Sequence, residues 1–246
     1  MPTFAVILPA AGQSSRFRDQ HYKKPFIPLD GRAVWLHSAE RFLNRKDVGQ
    51  VIVVISPEDR TEFYEKFGPN VAILGVDVVE GGQERADSVQ NALARVKPDC
   101  QYVAVHDAAR PCLADEWIDR VFEAAIKSGA AILATPVVAT LKRVAKDHTI
   151  EATVPRDQLW EAQTPQVFKR QLLLDAYAQR GGVPATDEAF LVERLGQRVT
   201  VVQGSPINLK ITTKEDLRLA SHLIKALPKP KNLGQAHPFA DDDMWR

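Results

Sequence analysis

The sequence predicts an α/β protein built on a doubly wound, mostly parallel sheet. Three observations lead there. Short apolar, β-branched runs recur along the chain, and none alternates polar with apolar, so each reads as a strand buried on both faces. Helix-like segments separate these runs, the pattern of a parallel sheet covered by helices. With 246 residues, 45% of them hydrophobic, the chain can bury one large core.

Taken in order, the first strand is "FAVILPA" at 4–10, and a helical pattern follows at about 33–44. "QVIVVIS" at 50–56 reads as the next strand, with a helix at about 58–66. "VAILGVDVV" at 71–79 and "YVAVHDA" at 102–108 are the third and fourth strands, separated by a helix at about 84–95. A helix at about 115–127 leads into "AAILATPV" at 130–137. Helices at about 169–180 and 187–195 precede the strand "RVTVVQG" at 198–204, and a last helix spans about 214–226.

The segment from 136 to 165 breaks this rhythm. It alternates like an exposed hairpin, and a two-stranded hairpin is marginal alone. An arm at about 137–162 therefore needs a partner surface, either its own domain or a second subunit. Residues 1–227 read as a single domain. Residues 228–246 hold three prolines among charged and small residues, the composition of a flexible C-terminal tail.

The totals exclude several classes. Basic and acidic residues nearly cancel, 32 against 31, so no global field points to nucleic acid or membrane. Cys100 and Cys112 lack metal-pair spacing and make no disulfide framework. A reduced, cytoplasmic setting follows. The apolar run at 4–11 is too short to span a membrane and has no basic region before it.

Any anion site must then be local, and one stretch invites it. In "VILPAAGQSSRFRDQHYKKPFIPL" at 6–29 a core strand breaks at Gly12 and basic residues follow. Ligands of α/β sheets bind beyond the carboxyl ends of strands. Ala10, Ala11 and Gly12 allow close backbone approach, and their N–H groups can cradle phosphate oxygens. Arg16 and Lys24 could neutralise a polyphosphate. Neither G-x-x-x-x-G-K-[ST] nor G-x-G-x-x-G is present, so the usual phosphate-loop and dinucleotide motifs are excluded. Composition alone fits a solvated basic loop equally well.

"LPAAGQSSRF…KKPF" resembles the signature loop of nucleotidyltransferases that join a sugar or polyol phosphate to a nucleoside triphosphate. Further segments follow in the same order: "GGQERADSVQNAL" at 81–93, "VHDAARPCL" at 105–113, "ATLKR" at 139–143, "QTPQVF" at 163–168, "ATDEAFLVE" at 185–193 and "INLKITTKEDL" at 207–217. Together they resemble the 2-C-methyl-D-erythritol 4-phosphate cytidylyltransferase family of the non-mevalonate isoprenoid pathway, over about residues 4–224. Ser14 stands where the family loop has its second glycine, and Ala139 where an acidic residue is common. Lys24 aligns with the family lysine, with Lys23 its rival.

The resemblance implies a Rossmann-like sheet of the nucleotide-diphospho-sugar transferase type and a homodimer joined through the arm. It implies that CTP and methylerythritol phosphate react to give CDP-methylerythritol and pyrophosphate, with Mg²⁺. Arg16, Lys24 and Lys210 would be the catalytic cations. Ala10, Ala11, Gly12, Gly82, Gln83, Ser88, Asp107 and Ala108 would surround the nucleotide, and Arg110, Thr140 and Arg156 would hold the polyol phosphate. Asp107 would stand near the metal, which phosphate oxygens mainly hold, and Arg85 and Asp87 would support the site from behind.

The chemistry agrees with these residue types. A phosphate monoester is largely a dianion at pH 7, so no general base is needed to activate it. Catalysis then rests on positioning and on cations at the α-phosphate. His106 reads as a loop support, and Trp117 and Trp160 as packing residues. Two other functions use the same motifs: a cytidylyltransferase for ribitol 5-phosphate or another polyol phosphate, and a non-catalytic CTP-binding protein.

Overall fold

The computed structural model describes residues 2–12 and 26–228. The elements run β1 (Phe4–Pro9), β2 (Pro28–Leu29), β3 (Arg32–Ala33), α1 (Val34–Leu43), β4 (Val48–Ile55), α2 (Arg60–Leu74), β5 (Asp77–Glu80) and α3 (Arg85–Leu93). They continue with β6 (Tyr102–Val105), α4 (Asp115–Ser128), β7 (Ala130–Pro136), β8 (Leu141–Val144), β9 (Ile150–Val154), β10 (Trp160–Lys169), α5 (Arg170–Ala178), α6 (Glu188–Arg194), β11 (Thr200–Gln203) and α7 (Lys214–Leu223).

Seven strands form one sheet in the order β11-β7-β10-β6-β1-β4-β5. β1 pairs in parallel with β4 and β6, β4 with β5, and β7 with β11. β10 runs antiparallel to both β6 and β7. The sheet is thus mostly parallel, as the alternation predicts.

Side chains of successive strand residues enter opposite cores. Phe4, Val6 and Leu8 of β1 pack with Trp35 and Phe42 of α1 and Val121 of α4. Ala5 and Ile7 face the other way, with Val89 of α3, Leu173 of α5 and Leu191 of α6. That period of two is why the central strands read as unbroken apolar runs.

Two differences from the sequence pattern have plain causes. The apolar run at 71–79 divides: Val71–Leu74 finish α2, Gly75 closes the helix in the left-handed region at φ 62°, and the strand begins only at Asp77. Apolar content alone does not separate a helix end from a strand, and Gly75 is the boundary signal. β5 and β11 are only partly covered, because each lies at a sheet edge.

Between β7 and β10 the chain leaves the sheet. β8 and β9 form a separate two-stranded antiparallel hairpin. Its base is tied where Val137 N–H donates to Leu159 C=O at 3.0 Å. Val138, Ile150 and Trp160 are 79%, 65% and 44% exposed, so the arm carries apolar surface that is uncovered among the described residues.

Candidate active site

The carboxyl ends of four parallel strands converge on a cleft of about 740 Å³. Ala10, Ala11 and Gly12 enter from β1, Ser56–Glu58 from β4, the Gly81–Gly82 turn from β5, and Asp107 from β6. Lys210 and Thr212 close the remaining side. This is where an open α/β sheet binds ligands.

Each wall is fixed by backbone bonds. Ala10 N–H donates to Val54 C=O at 2.8 Å, Gly81 N–H to Ile55 C=O at 2.7 Å, and His106 N–H to Ile7 C=O at 2.9 Å. Ile211 N–H donates to Ala109 C=O at 2.8 Å, which anchors the segment carrying Lys210 beside the loop after β6.

The glycines at 81 and 82 answer to crowding. A Cβ on Gly81 would lie 2.6 Å from Ser88 Oγ and 2.8 Å from Ala11 Cβ, and one on Gly82 would overlap Asp87. The Ser88 hydroxyl draws the turn against α3: it accepts from Gly82 N–H at 3.1 Å and donates to Glu84 C=O at 3.0 Å. Glu84 is the N-cap of α3, in a reciprocal capping box with Asp87. Arg180 reaches across from the end of α5 and holds both carboxylates, Asp87 at 2.5 Å and Glu84 at 2.8 Å.

At the floor of the cleft, three cations surround one carboxylate. Asp107 is 7% exposed. Lys210 Nζ lies 2.9 Å from its Oδ2 and Arg110 Nε 3.4 Å from the same oxygen. Arg85 Nη2 lies 3.6 Å from Oδ1. Burial pushes the Asp107 carboxyl up, but Lys210, Arg85 and Arg110 outweigh it and hold it well below the usual carboxylate range.

His106, fully buried, is kept neutral by its burial, and its bonds fix the tautomer. Its Nε2 faces the Arg110 carbonyl at 3.0 Å, so that nitrogen carries the proton. Nδ1 then accepts from the Thr164 hydroxyl at 3.1 Å, and Thr164 Oγ1 accepts from Asp107 N–H at 3.0 Å. Burial, the dominant influence, lowers the His106 pKa to about 4. Below its ordinary value of 6.5 the unfolded chain takes a proton that the folded protein refuses. Stability should therefore fall as pH drops from about 6.5 to about 4, by about 3 kcal/mol in total. Urea unfolding of wild type and His106→Asn across that window checks this. The stability gap between them should narrow as pH falls, and a constant gap would sink the assignment.

The expected site residues divide into groups. Ala10, Ala11, Gly12, Gly82, Gln83, Ser88, Asp107 and Lys210 all line the cleft. Ala108 is fully buried beneath it. Arg110 points into the protein, where Nη1 donates to Asn208 C=O at 2.6 Å. Thr140 and Arg156 lie on the arm and do not line the cleft; Arg156 donates to the Val138 carbonyl. Arg16, Lys24, Ser14 and Lys23 lie outside the described residues.

Sequence reading missed Ser56–Glu58, although they follow the carboxyl end of β4, the signal that singled out the loop after β1. The N-cap of α6 is Asp187, whose carboxylate accepts from Phe190 N–H at 3.0 Å. Glu188 is buried and binds Arg85 with both oxygens, at 2.7 and 3.0 Å.

Known proteins share this sequence pattern and this fold. The family profile of IspD, 2-C-methyl-D-erythritol 4-phosphate cytidylyltransferase, matches residues 4–226. A protein of that name from Rhodopirellula baltica is 42% identical over 231 residues, 89% of this chain and 94% of its own. A chloroplastic one from Oryza sativa is 39% identical over 222 residues, 89% of this chain and 74% of its own. The crystal structure of the Thermus thermophilus cytidylyltransferase is 34% identical, covers 92% of this chain and 100% of its own, and superposes with a TM-score of 0.72. By sequence along nearly its whole length, and by the fold that builds this cleft, the chain belongs to the 2-C-methyl-D-erythritol 4-phosphate cytidylyltransferase family.

Proposed function

We propose that the cleft binds CTP and that its α-phosphate is attacked there by the phosphate of 2-C-methyl-D-erythritol 4-phosphate. The monoester oxygen forms the new bond to the α-phosphorus, the bond to the bridging oxygen breaks, and pyrophosphate leaves. The observation that carries this reading is Lys210 at 2.9 Å from Asp107 on the floor of a cleft walled by the Gly81–Gly82 turn.

The protein's task is electrostatic. A phosphate dianion must meet a triphosphate, and preorganised cations lower that barrier. Lys210 serves at the floor, and Arg16 and Lys24, which follow β1 in the sequence, are the other two cations of this reading. Ala10–Gly12, Gly82, Gln83 and Ser88 take the nucleotide. His106 supplies no base, because both its ring nitrogens are already engaged. None is needed for a monoester dianion.

Among the described residues no three His, Cys, Asp or Glu side chains gather as a metal cage. The donor set at the floor instead fits a Mg²⁺ held mainly by triphosphate oxygens, with Asp107 as a single protein ligand. Such an ion would neutralise phosphate charge.

Thr140 and Arg156 hold the methylerythritol phosphate in this reading, while Arg110 braces Asp107 and the Asn208 segment from behind the floor. Thr140 and Arg156 stand on the arm, so they serve a neighbouring subunit's cleft. The exposed Val138, Ile150 and Trp160 support an arm that docks on a second copy. Ile150→Asp should then weaken the dimer by about 2 kcal/mol, roughly 30-fold, and raise KM for methylerythritol phosphate with CTP affinity spared. Sedimentation and initial rates check it, and an unchanged dimer would remove the arm from the interface. We infer a cytoplasmic setting, supported by Cys100 and Cys112 being free and buried. Among the described residues no helix is long and apolar enough to cross a membrane.

The test of the function is pyrophosphate release from CTP with Mg²⁺, comparing methylerythritol phosphate with ribitol 5-phosphate. Release with the first alone supports the reading. Release with ribitol 5-phosphate would change the acceptor, and CTP binding without release would make this a binding protein.

A further inference from the structure

The two oxygens of Asp107 are not equivalent. Oδ2 is taken by Lys210 at 2.9 Å and approached by Arg110 at 3.4 Å. Arg85 Nη2 lies 3.6 Å from Oδ1, beyond hydrogen-bond reach. That same Nη2 donates to Glu188 Oε2 at 3.0 Å, while Nη1 donates to Oε1 at 2.7 Å. The guanidinium is thus held in a bidentate fork on Glu188.

Glu188 is itself rigidly mounted. It is 1% exposed, and Tyr177 donates its hydroxyl to Oε1 at 3.2 Å. Gln166 Oε1 accepts from the backbone N–H of Glu188 at 3.1 Å and of Ala189 at 3.0 Å. Gln166 Nε2 donates to Asp187 at 2.8 Å, tying the start of α6 to β10.

We propose that Glu188 is a positioning residue: by holding both guanidinium nitrogens of Arg85 it keeps Arg85 off Asp107 Oδ1, leaving that oxygen open to the incoming nucleotide. The inference rests on the cleft being the CTP site. The occupant of Oδ1 is a donor carried by CTP, either a ribose hydroxyl or the cation on its phosphates.

Glu188→Gln removes the charge and keeps the shape. Arg85 then has Asp107 as its remaining carboxylate in this cluster and closes on Oδ1. Calorimetric titration with CTP should give an affinity about tenfold weaker than wild type, the low end of outer-shell substitutions. The decisive variant is the double change Arg85→Gln with Glu188→Gln. Removing the guanidinium frees Oδ1 again, so the double variant should recover most of the affinity lost by the single one. A purely structural Glu188 predicts the reverse, with the double variant as weak or weaker. Should Glu188→Gln fail to fold, the doubly neutral variant still decides: affinity within about threefold of wild type supports the proposal, and an outer-shell loss of about tenfold or more overturns it. Titration with Mg²⁺ and with chelator separates the occupants, since a deficit that persists without metal assigns Oδ1 to a hydroxyl. Glu188→Gln that binds CTP like wild type overturns this inference alone. Wild type that binds no CTP overturns the functional reading together with it.

Discussion

Lys210→Met is expected to lower the rate of pyrophosphate release at saturating substrates by about 10²–10³, the cost of removing a preorganised donor from a developing charge. Lys210 lines the cleft with its ammonium 2.9 Å from Asp107 and its side chain 43% exposed, so it can reach a bound phosphate. Its effect should fall on kcat more than on KM, because the charge it meets grows as the phosphorus bonds rearrange. A second loss adds to the first. Lys210 is the largest influence lowering the Asp107 pKa, so without it a less compensated carboxylate faces the incoming phosphates. Lys210→Arg keeps the charge in a planar fork of different reach and should recover only part of the rate. Stopped assays at saturating CTP and methylerythritol phosphate decide. A change in KM alone would make Lys210 a substrate holder, and no change would remove it from the mechanism.

What the sequence makes legible here is whatever depends on neighbours along the chain. The strands β1, β4, β6 and β7 are apolar runs because both faces are covered, and the cleft lies at the carboxyl ends of β1, β4, β5 and β6 by the general rule for open sheets. Gly81 and Gly82 stand out as a glycine pair, and steric crowding by Ser88, Ala11 and Asp87 is the reason for it. What escapes is long-range. Glu188 reads as an acid at a helix start, favourable to the dipole. Its burial follows from Arg85, 103 residues away. Arg180, just past α5, joins Asp87 and Glu84 across 93 and 96 residues, a pairing that none of its sequence neighbours signals. β10 escapes for another reason: its buried half, Gln163–Phe168, includes polar Gln163, Thr164 and Gln166, which hold the Asn208, Asp107 and Asp187 segments in place. Polar residues mask a strand when their partners come from distant loops.

Asp107→Asn should cost both stability and rate, and it should strengthen the preference of the floor for anions. With Asp107 ionised, the cluster of Lys210, Arg85 and Arg110 against Asp107 and Glu188 is nearly balanced. Removing one carboxylate charge leaves Arg110, only 13% exposed, without its charged partner and still beside Arg85. Breaking a buried pair in this way costs about 3–5 kcal/mol, toward the lower end here because Lys210 remains 43% exposed to water. Urea unfolding measures it. The sign with pH follows from the depressed carboxyl: the stabilisation by Asp107 is present above the ordinary carboxylate range and is lost only in stronger acid, so the deficit of the variant persists unchanged from pH 7 down to about 5. The excess positive charge should also bind pyrophosphate more tightly than wild type does, while cytidylyl transfer falls. Tighter product binding with slower turnover is the outcome expected if Asp107 balances the cations against trapping the leaving group. Weaker pyrophosphate binding would mean that the three cations need Asp107 to hold their places, and that its role at the floor is structural.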